Sequence, residues 1–491
     1  MRAIRIGPSC LATLALSMPG SDLAARPARP MDPTPLSEDA ILLTVTGDAP
    51  GDWFGWAVGA LGDVNGDAVP DFAVGAIQNE NLGVRPAPHA PPGYVHVFSG
   101  ASGTKLYALA SYDSKNIDGT DDHFGSSITS MVDLDGDGAR EIVVGAYLHD
   151  GGGPDPFSID ENTGGVFIFS GATGAPLRRL PGARWGDRYG YALATIADMD
   201  GDGERDLIVS IEKADKVADN EGRIDVLSSA SFELLARAYG PGHNAHLGCA
   251  VAEVGDVDHD GTPDYAGGAF MYIHDGPAWL DPGGDEEPFA LTESDPHVEV
   301  GRASIFSGRT GDELHRWVGD AKRDHLGCAL ATLYGADDPV LAVGANQSGW
   351  SGDFYGTGFV RLFSCGDGSR VGELHGEIEG QQFGWWITNV GDRDGDGHDD
   401  LLVGAPDAIS VHESVQSDRA GRVYLYSGRD RRLLKIVVGQ SVNDRFGTSA
   451  VLLGDLDGDG SDEVLIGAPE NVIGQTRPGY AVVVRGSFLD S

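Results

Sequence analysis

Asp133-Leu-Asp135-Gly-Asp137-Gly-Ala139-Arg-Glu141 decides how this chain folds. Carboxylates stand at positions 1, 3, 5 and 9 of the stretch, with glycine at 4 and 6. Further copies begin at Asp63, Asp198, Asp256, Asp392 and Asp455, and among all the acidic positions only Asn65 is not Asp or Glu. Carboxylates packed that densely repel one another unless a cation lies among them. A ligand set made of hard oxygens, without Cys or His, selects Ca²⁺ ahead of Mg²⁺ or Mn²⁺. Asp and Gly are also ordinary turn residues, so one copy alone could be read as an acidic turn. Recurrence in fixed register and fixed flanking sequence argues against that. An EF-hand loop opens in the same way but needs a bidentate Glu at position 12 and a helix on each side. Position 12 is Val74, Val144, Val209, Gly267, Val403 or Ile466, which excludes that helical module.

The flanks read as strands. Each loop is followed by a β-rich run that ends in small residues, such as Phe72-Ala-Val-Gly-Ala76, Ile142-Val-Val-Gly-Ala146 and Leu401-Leu-Val-Gly-Ala-Pro406. Each is preceded by an aromatic or Leu before Gly: Phe54-Gly55, Phe124-Gly125, Tyr189-Gly190, Leu247-Gly248, Phe383-Gly384 and Phe446-Gly447. A third run (Gly165-Val-Phe-Ile-Phe-Ser-Gly171), a tight turn (Ala172-Thr-Gly174) and a fourth run (Leu177-Arg-Arg-Leu180) complete a four-stranded unit. Leu326-Gly327 anchors a seventh unit, which keeps Leu341-Ala-Val-Gly-Ala345 but has Ala336-Asp-Asp-Pro339 where the acidic loop should be.

Repeats of four short strands predict an all-β seven-bladed propeller over residues 41–488. The last unit stops at its third strand, Tyr480-Ala-Val-Val-Val484, and the unassigned Ile41-Leu-Leu-Thr-Val-Thr46 sits where a fourth strand belongs. That strand is expected to close the ring and remove an exposed edge.

The Phe-Gly…Gly-Ala-Pro pairing in the last two units (Phe383-Gly384 with Gly404–Pro406, Phe446-Gly447 with Gly467–Pro469) resembles the FG-GAP repeat. That repeat builds the seven-bladed head of integrin α subunits and the propeller of the phospholipase D that acts on glycosylphosphatidylinositol anchors. The resemblance covers about residues 41–486 and implies structural Ca²⁺ in each acidic loop. Its ligands would be Asp63, Asn65, Asp67 and Asp71 with the carbonyl of Val69. The same offsets give Asp133, Asp135, Asp137 and Glu141 with Ala139, and Asp198, Asp200, Asp202 and Asp206 with Glu204. They also give Asp256, Asp258, Asp260 and Asp264 with Thr262, and Asp392, Asp394, Asp396 and Asp400 with His398. The last set is Asp455, Asp457, Asp459 and Glu463 with Ser461. About six ions are therefore expected, and none in the fifth unit.

The formal net charge is −41, and a full complement of divalent cations would leave the body acidic. Nucleic acid and anionic membrane are therefore disfavoured as partners. Filled calcium sites imply export, to a secreted or cell-surface location. Residues 1–25 carry Arg2, Arg5 and a short apolar stretch, and read as a candidate signal peptide followed by a disordered linker over 26–40. No stretch is long and apolar enough to span a bilayer. Cys249, Cys328 and Cys365 are too few and too odd in number for a disulfide framework. Cys249 and Cys328 share one slot in adjacent units, which leaves an inter-blade bridge open. Buried free thiols are favoured, because that slot is Trp, Ser, Tyr or Thr elsewhere.

In a four-stranded meander the 1–2 and 3–4 connections leave one end and the 2–3 and 4–1 connections the other. The acidic loops are 1–2 connections. The variable insertions, including 270–300 with Trp279 and Asp285-Glu-Glu287, are 2–3 connections, and length variation on one face marks a binding face. The residues just before the anchors fall on that face: Trp53, His123, Arg188, His246, His325, Gln382 and Arg445. They are expected to ring the channel mouth as a ligand cup. The competing reading gives the preceding Asp the structural role and its neighbour none. No Gly-x-Ser-x-Gly or His-Glu-x-x-His motif is present, and no catalytic set stands out. The expectation is a monomeric adhesion module for an extracellular protein or glycan. The alternatives are a polysaccharide hydrolase or lyase at the channel mouth and a structural surface protein.

Overall fold

The computed structural model describes residues 33–78, 93–112, 122–150, 162–216, 219–272, 299–335, 338–347, 356–407, 419–470 and 477–490. The expected signal peptide, Trp279 and Asp285–Glu287 lie outside them. Seven four-stranded antiparallel meanders form the propeller; six are consecutive in the chain, and the sixth carries an added edge strand. The first blade runs Phe54–Gly62, Asp71–Ala76, Tyr94–Phe98 and Lys105–Leu109, from the central channel outwards. The seventh takes Ser449–Gly454, Glu463–Ala468 and Tyr480–Val484 from the end of the chain and Ile41–Thr46 from its beginning. Ile41 pairs with Val484 and Thr46 with Tyr480, so the N-terminal strand closes the ring as the sequence predicts.

The linker assignment for 26–40 needs correction at its C-terminal end. Thr34 and Pro35 pair in parallel with Val437 and Val438, as a fifth strand on the outer edge of the sixth blade. A 3₁₀ turn, Glu38–Ala40, then leads into the closing strand. Leu36 and Ala40 are buried in the core between the sixth and seventh blades.

Second strands are buried along their whole length, except for Val340 in the fifth blade. Each is covered on both faces by neighbouring blades, which is why they read as unbroken apolar runs. Outer strands such as Pro176–Pro181 are largely exposed. The core lies between blades: Phe54, Val58 and Val74 of the first pack with Leu465 and Val483 of the seventh. The anchors Phe54, Phe124, Phe383 and Phe446 are fully buried in such seams, where truncating a Phe typically costs about 3–5 kcal/mol.

The paired glycines have a steric cause. A Cβ on Gly404 would lie 2.1 Å from the Gly447 carbonyl oxygen of the next blade, and one on Gly75 would lie 2.2 Å from that of Gly125. Gly467 meets Gly55 in the same way, at 2.1 Å, where the ring closes. The anchor Gly itself has positive φ (Gly55 +95°, Gly447 +88°), which turns its carbonyl into the preceding blade. In the third blade Ser210 occupies the slot. We expect Gly404→Ala to lower the free energy of unfolding by about 2–3 kcal/mol, because backbone cannot move aside as a side chain can. Urea titration at saturating Ca²⁺ measures this, and an unchanged midpoint would refute the seam argument.

Candidate functional site

The acidic loops and the channel mouth lie at opposite ends of the inner strands. In each loop the first Asp is fixed by its own backbone. Gly136 N–H donates to Asp133 Oδ1 (2.7 Å) and Gly138 N–H to Oδ2 (2.9 Å). Gly201 and Gly203 do the same to Asp198 at 2.6 and 2.8 Å. The Gly at position 4 carries positive φ, as in Gly136 (+77°) and Gly395 (+74°), which this tight wrap requires. The carboxylate at position 9 reaches the other hairpin of its blade: Gly100 N–H donates to Asp71, Gly308 N–H to Asp264 and Gly428 N–H to Asp400, at 2.8–3.0 Å. Those glycines end the Ser-Gly motif of the third strand. A Cβ on Gly100 would sit 1.9 Å from the Pro70 carbonyl oxygen, so the motif exists to let the two hairpins meet.

Five loops bring ligand atoms within 4.8 Å of one another. Four use positions 1, 3 and 9: Asp133/Asp135/Glu141, Asp198/Asp200/Asp206, Asp392/Asp394/Asp400 and Asp455/Asp457/Glu463. The fourth blade gathers Asp256, Asp258 and Asp260 instead. It is the loop with a non-glycine, His259, held at φ +59° in position 4. The first loop has the same turn, with Gly66 N–H and Ala68 N–H each 2.7 Å from Asp63 and Asn65 in third place. Burial pushes Asp206 and Asp400 up to about 6, and neighbouring loop carboxylates add to the rise. At Asp63 burial also pushes upward, but hydrogen bonds from Ala68, Gly66, Asp67 and Asn65 win and hold it below its usual value. Asp394 Oδ1 is buried without a hydrogen-bond partner. Convergent oxygens, charge raised in energy by burial and an orphaned carboxylate oxygen all fit a hard divalent cation.

The fifth blade holds its 1–2 hairpin differently. Tyr334 N–H donates to Asp399 Oδ2 (2.9 Å) and Asp399 N–H to the Tyr334 carbonyl (2.8 Å). The hairpin is thus stitched to the loop of the sixth blade.

At the other end, Trp53, His123, Arg188, His246, His325, Gln382 and Arg445 occupy one equivalent slot, and all have φ between +52° and +61°. Sequence gave no sign of this, since Trp, Arg and Gln are not residues that favour left-handed backbone. An Asp precedes this slot in five of the seven blades and ties the 4–1 connection to its own blade: Phe54 N–H donates to Asp52 Oδ1 (3.1 Å), and Tyr480 Oη donates to Asp444 Oδ2 (2.6 Å). Its neighbour is engaged as well. His123 Nδ1 is 2.6 Å from Tyr147 Oη, Arg188 lies 3.0 Å and His246 2.5 Å from Glu212, His325 is 3.2 Å from Glu299, and Arg445 is 2.8 Å from Asp407. Tyr147, Glu212 and Asp407 stand just past the second strands of their blades. No local sequence pattern marks them, although every second strand re-emerges at this face. Burial would raise Glu212, but His246 and Arg188 outweigh it and keep the carboxyl below its usual range.

Between the two ends runs the channel, a cavity of about 650 Å³ lined by the inner strands. Trp56, Tyr191, Cys249, Cys328 and Trp385 line it. The cysteines are free thiols. Cys249 Sγ–H donates to the Gly327 carbonyl (3.2 Å) and Cys328 Sγ–H to that of Gly384 (3.3 Å). Each thus binds the next blade's anchor glycine, and burial pushes the Cys328 thiol up to about 12.

Comparison with known proteins agrees with this architecture. The FG-GAP repeat family matches residues 383–426 and 446–484. Chicken integrin alpha-8 is 33% identical over 132 residues, which is 26% of this chain and 12% of that protein. Chicken integrin alpha-V is 27% identical over 240 residues, 46% of this chain and 20% of that protein. The chain therefore spans only a small part of the integrin subunits it matches. The crystal structure of Saccharomyces cerevisiae Sqt1 superposes with a TM-score of 0.50 at 11% identity, covering 91% of this chain and 99% of that one, a likeness of fold alone. The chain carries FG-GAP repeats in a seven-bladed propeller and is distantly homologous to integrin α subunits. Among the described residues no helix is long and apolar enough to cross a membrane.

Burial and the nearby Arg188 guanidinium lower His123 from 6.5 to about 4. A buried histidine kept neutral favours the fold fully above its unfolded pKa, and that contribution is lost as pH falls from about 6.5 to about 4. The shift corresponds to at most about 3 kcal/mol. His123→Gln keeps a polar contact for Tyr147 but cannot take the proton. Its stability is expected to fall less than wild type over that window in chemical denaturation; parallel curves would refute the assignment.

Proposed function

We propose that this protein is an exported, calcium-stabilised binding module that takes a protein or glycan ligand on the face carrying the 2–3 and 4–1 connections. The observation that carries this reading is the channel, a cavity of about 650 Å³ lined near this face by the half-buried indoles of Trp56 and Trp385. The seven left-handed residues expected to ring it do not line it, and Trp53, His123, His246, His325 and Gln382 are buried. The acidic loops lie at the far end and act as staples for the hairpins, with Ca²⁺ as the cation their oxygen ligands favour. Similarity to integrin α subunits supports an extracellular site of action and an adhesive role. The charged groups around the mouth are paired with one another, which favours a binder over an enzyme that needs a free acid or base.

Two experiments test this. A site filled at a hundredfold excess over its Kd contributes about 2.7 kcal/mol to stability. EDTA should therefore lower the melting temperature steeply and Ca²⁺ restore it, while Asp392→Ala should reduce the bound stoichiometry by one. A melting temperature indifferent to EDTA would sink the cation assignment. Labelled protein applied to immobilised extracellular-matrix proteins and glycans should bind in Ca²⁺ and not in EDTA. Turnover of a glycan would instead support the hydrolase or lyase, and no binding at all would leave the structural surface role.

A further inference from the structure

We infer that the channel mouth is a binding site for an uncharged saccharide, with Trp56 and Trp385 as the surface on which a sugar ring stacks. This rests on the proposed binding role and specifies the ligand class. Trp56 and Trp385 stand two residues after the anchors of the first and sixth blades, and the seventh blade, which lies between them, has only Thr448 in that slot. The two indoles meet edge to face across this gap, with centroids 6.5 Å apart. Both line the cavity and both are half-buried, so each keeps exposed surface towards it. Trp53 stacks behind Trp56 at 5.4 Å and Arg445 lies 5.8 Å from the Trp385 ring, so the platform is held from behind. The Trp53 Nε1–H is buried with no acceptor in the protein, which is unusual for an indole.

The lining chemistry selects the ligand. The chain carries a formal charge of −41, yet Glu253 is the one charged side chain among the lining residues. It lies at the acidic-loop end, paired with Arg205. Ionic recognition therefore has little to work with inside the channel. What remains towards the mouth is aromatic faces together with the hydroxyls of Ser126 and Tyr191. Ser126 Oγ–H donates to the Gly145 carbonyl, which leaves its oxygen lone pairs to accept. Apolar faces with a few hydroxyl-height polar groups match the two sides of a pyranose. A volume of about 650 Å³ lies within the ordinary range for a small-molecule site, roughly 300–1,000 Å³.

The test is a titration of the full chain in Ca²⁺ with neutral trisaccharides (malto-, cello-, xylo-, manno- and N-acetylchitotriose), followed by tryptophan fluorescence and calorimetry, with an oligogalacturonate as the acidic comparison. At least one neutral sugar should bind and shift the tryptophan emission. Trp385→Ala and Trp56→Ala should each weaken it tenfold or more, and Trp185→Ala, on an exposed loop, should leave it unchanged. Ser126→Trp puts into the second blade a residue this slot already holds in the first and sixth. It should block the mouth and abolish binding, and it decides the matter if an alanine variant fails to fold. Binding by the acidic sugar alone, no binding by any neutral sugar, or binding that survives Trp385→Ala and Ser126→Trp overturns the inference. Failure of every neutral sugar to bind, together with Ca²⁺-dependent attachment to matrix proteins, would overturn the saccharide site while leaving the broader binding role intact.

Discussion

The blades lie side by side because backbone touches backbone at six of the seven seams, the third blade meeting its neighbour through Ser210 instead. The glycine near the end of a second strand lies against the carbonyl of the next blade's anchor glycine, closer than any Cβ allows. Everything else in the repeat follows from that approach. The anchor's aromatic or Leu side chain fills the space just beneath it and is buried in all seven blades. The positive φ of the anchor glycine aims the carbonyl, and the residue before it is carried into left-handed backbone as well. The start of each third strand completes the seam through a parallel bridge to the next anchor, as Gly93 does with Phe124 and Gly421 with Phe446.

The acidic loops address a different problem. A hairpin joining strands at the rim has little apolar surface to bury, so its geometry must be fixed by polar groups. Backbone N–H groups wrap the first carboxylate, and the ninth clamps the neighbouring 3–4 turn. The remaining oxygens are left facing one another, and a bound cation would turn that repulsion into stability. The fifth blade shows the alternative. It lacks the acidic loop and exchanges backbone hydrogen bonds with Asp399 of its neighbour. Its third strand is followed by Cys365, where five of the other blades have Gly and the third has Ser229.

The parts legible in the sequence were those written by local rules. Loop spacing, the small residues of the second strand and the missing fourth strand of the last unit each have a single steric or electrostatic cause, and together they predict seven blades and the closing strand. The fifth strand on the sixth blade was not legible. Thr34 and Pro35 form only two residues of parallel pairing, too short for any periodicity. The network at the mouth was half legible. His123, Arg188, His246 and Arg445 stood out by position, but their partners Tyr147, Glu212 and Asp407 follow the second strands at the start of loops of unequal length. Nothing local marks them.

The two ends of the inner strands therefore divide the work by the kind of constraint each carries. At the acidic end, strain is electrostatic and a small cation would relieve it, so those residues are alike in the six blades that carry the loop. At the mouth, strain lies in the backbone at seven left-handed positions, which is a property of the slot and not of the side chain. Side chains there can differ without disturbing the seam, and they do: Trp, His, Arg, His, His, Gln and Arg. Two residues past each anchor the same freedom gives Trp56, Ser126, Tyr191, Cys249, Cys328, Trp385 and Thr448. A ring whose backbone is fixed while its side chains vary is the arrangement in which recognition can change without refolding. The uneven aromatic surface of Trp56 and Trp385, set on one side of an otherwise symmetric channel, is where this chain has used that freedom most.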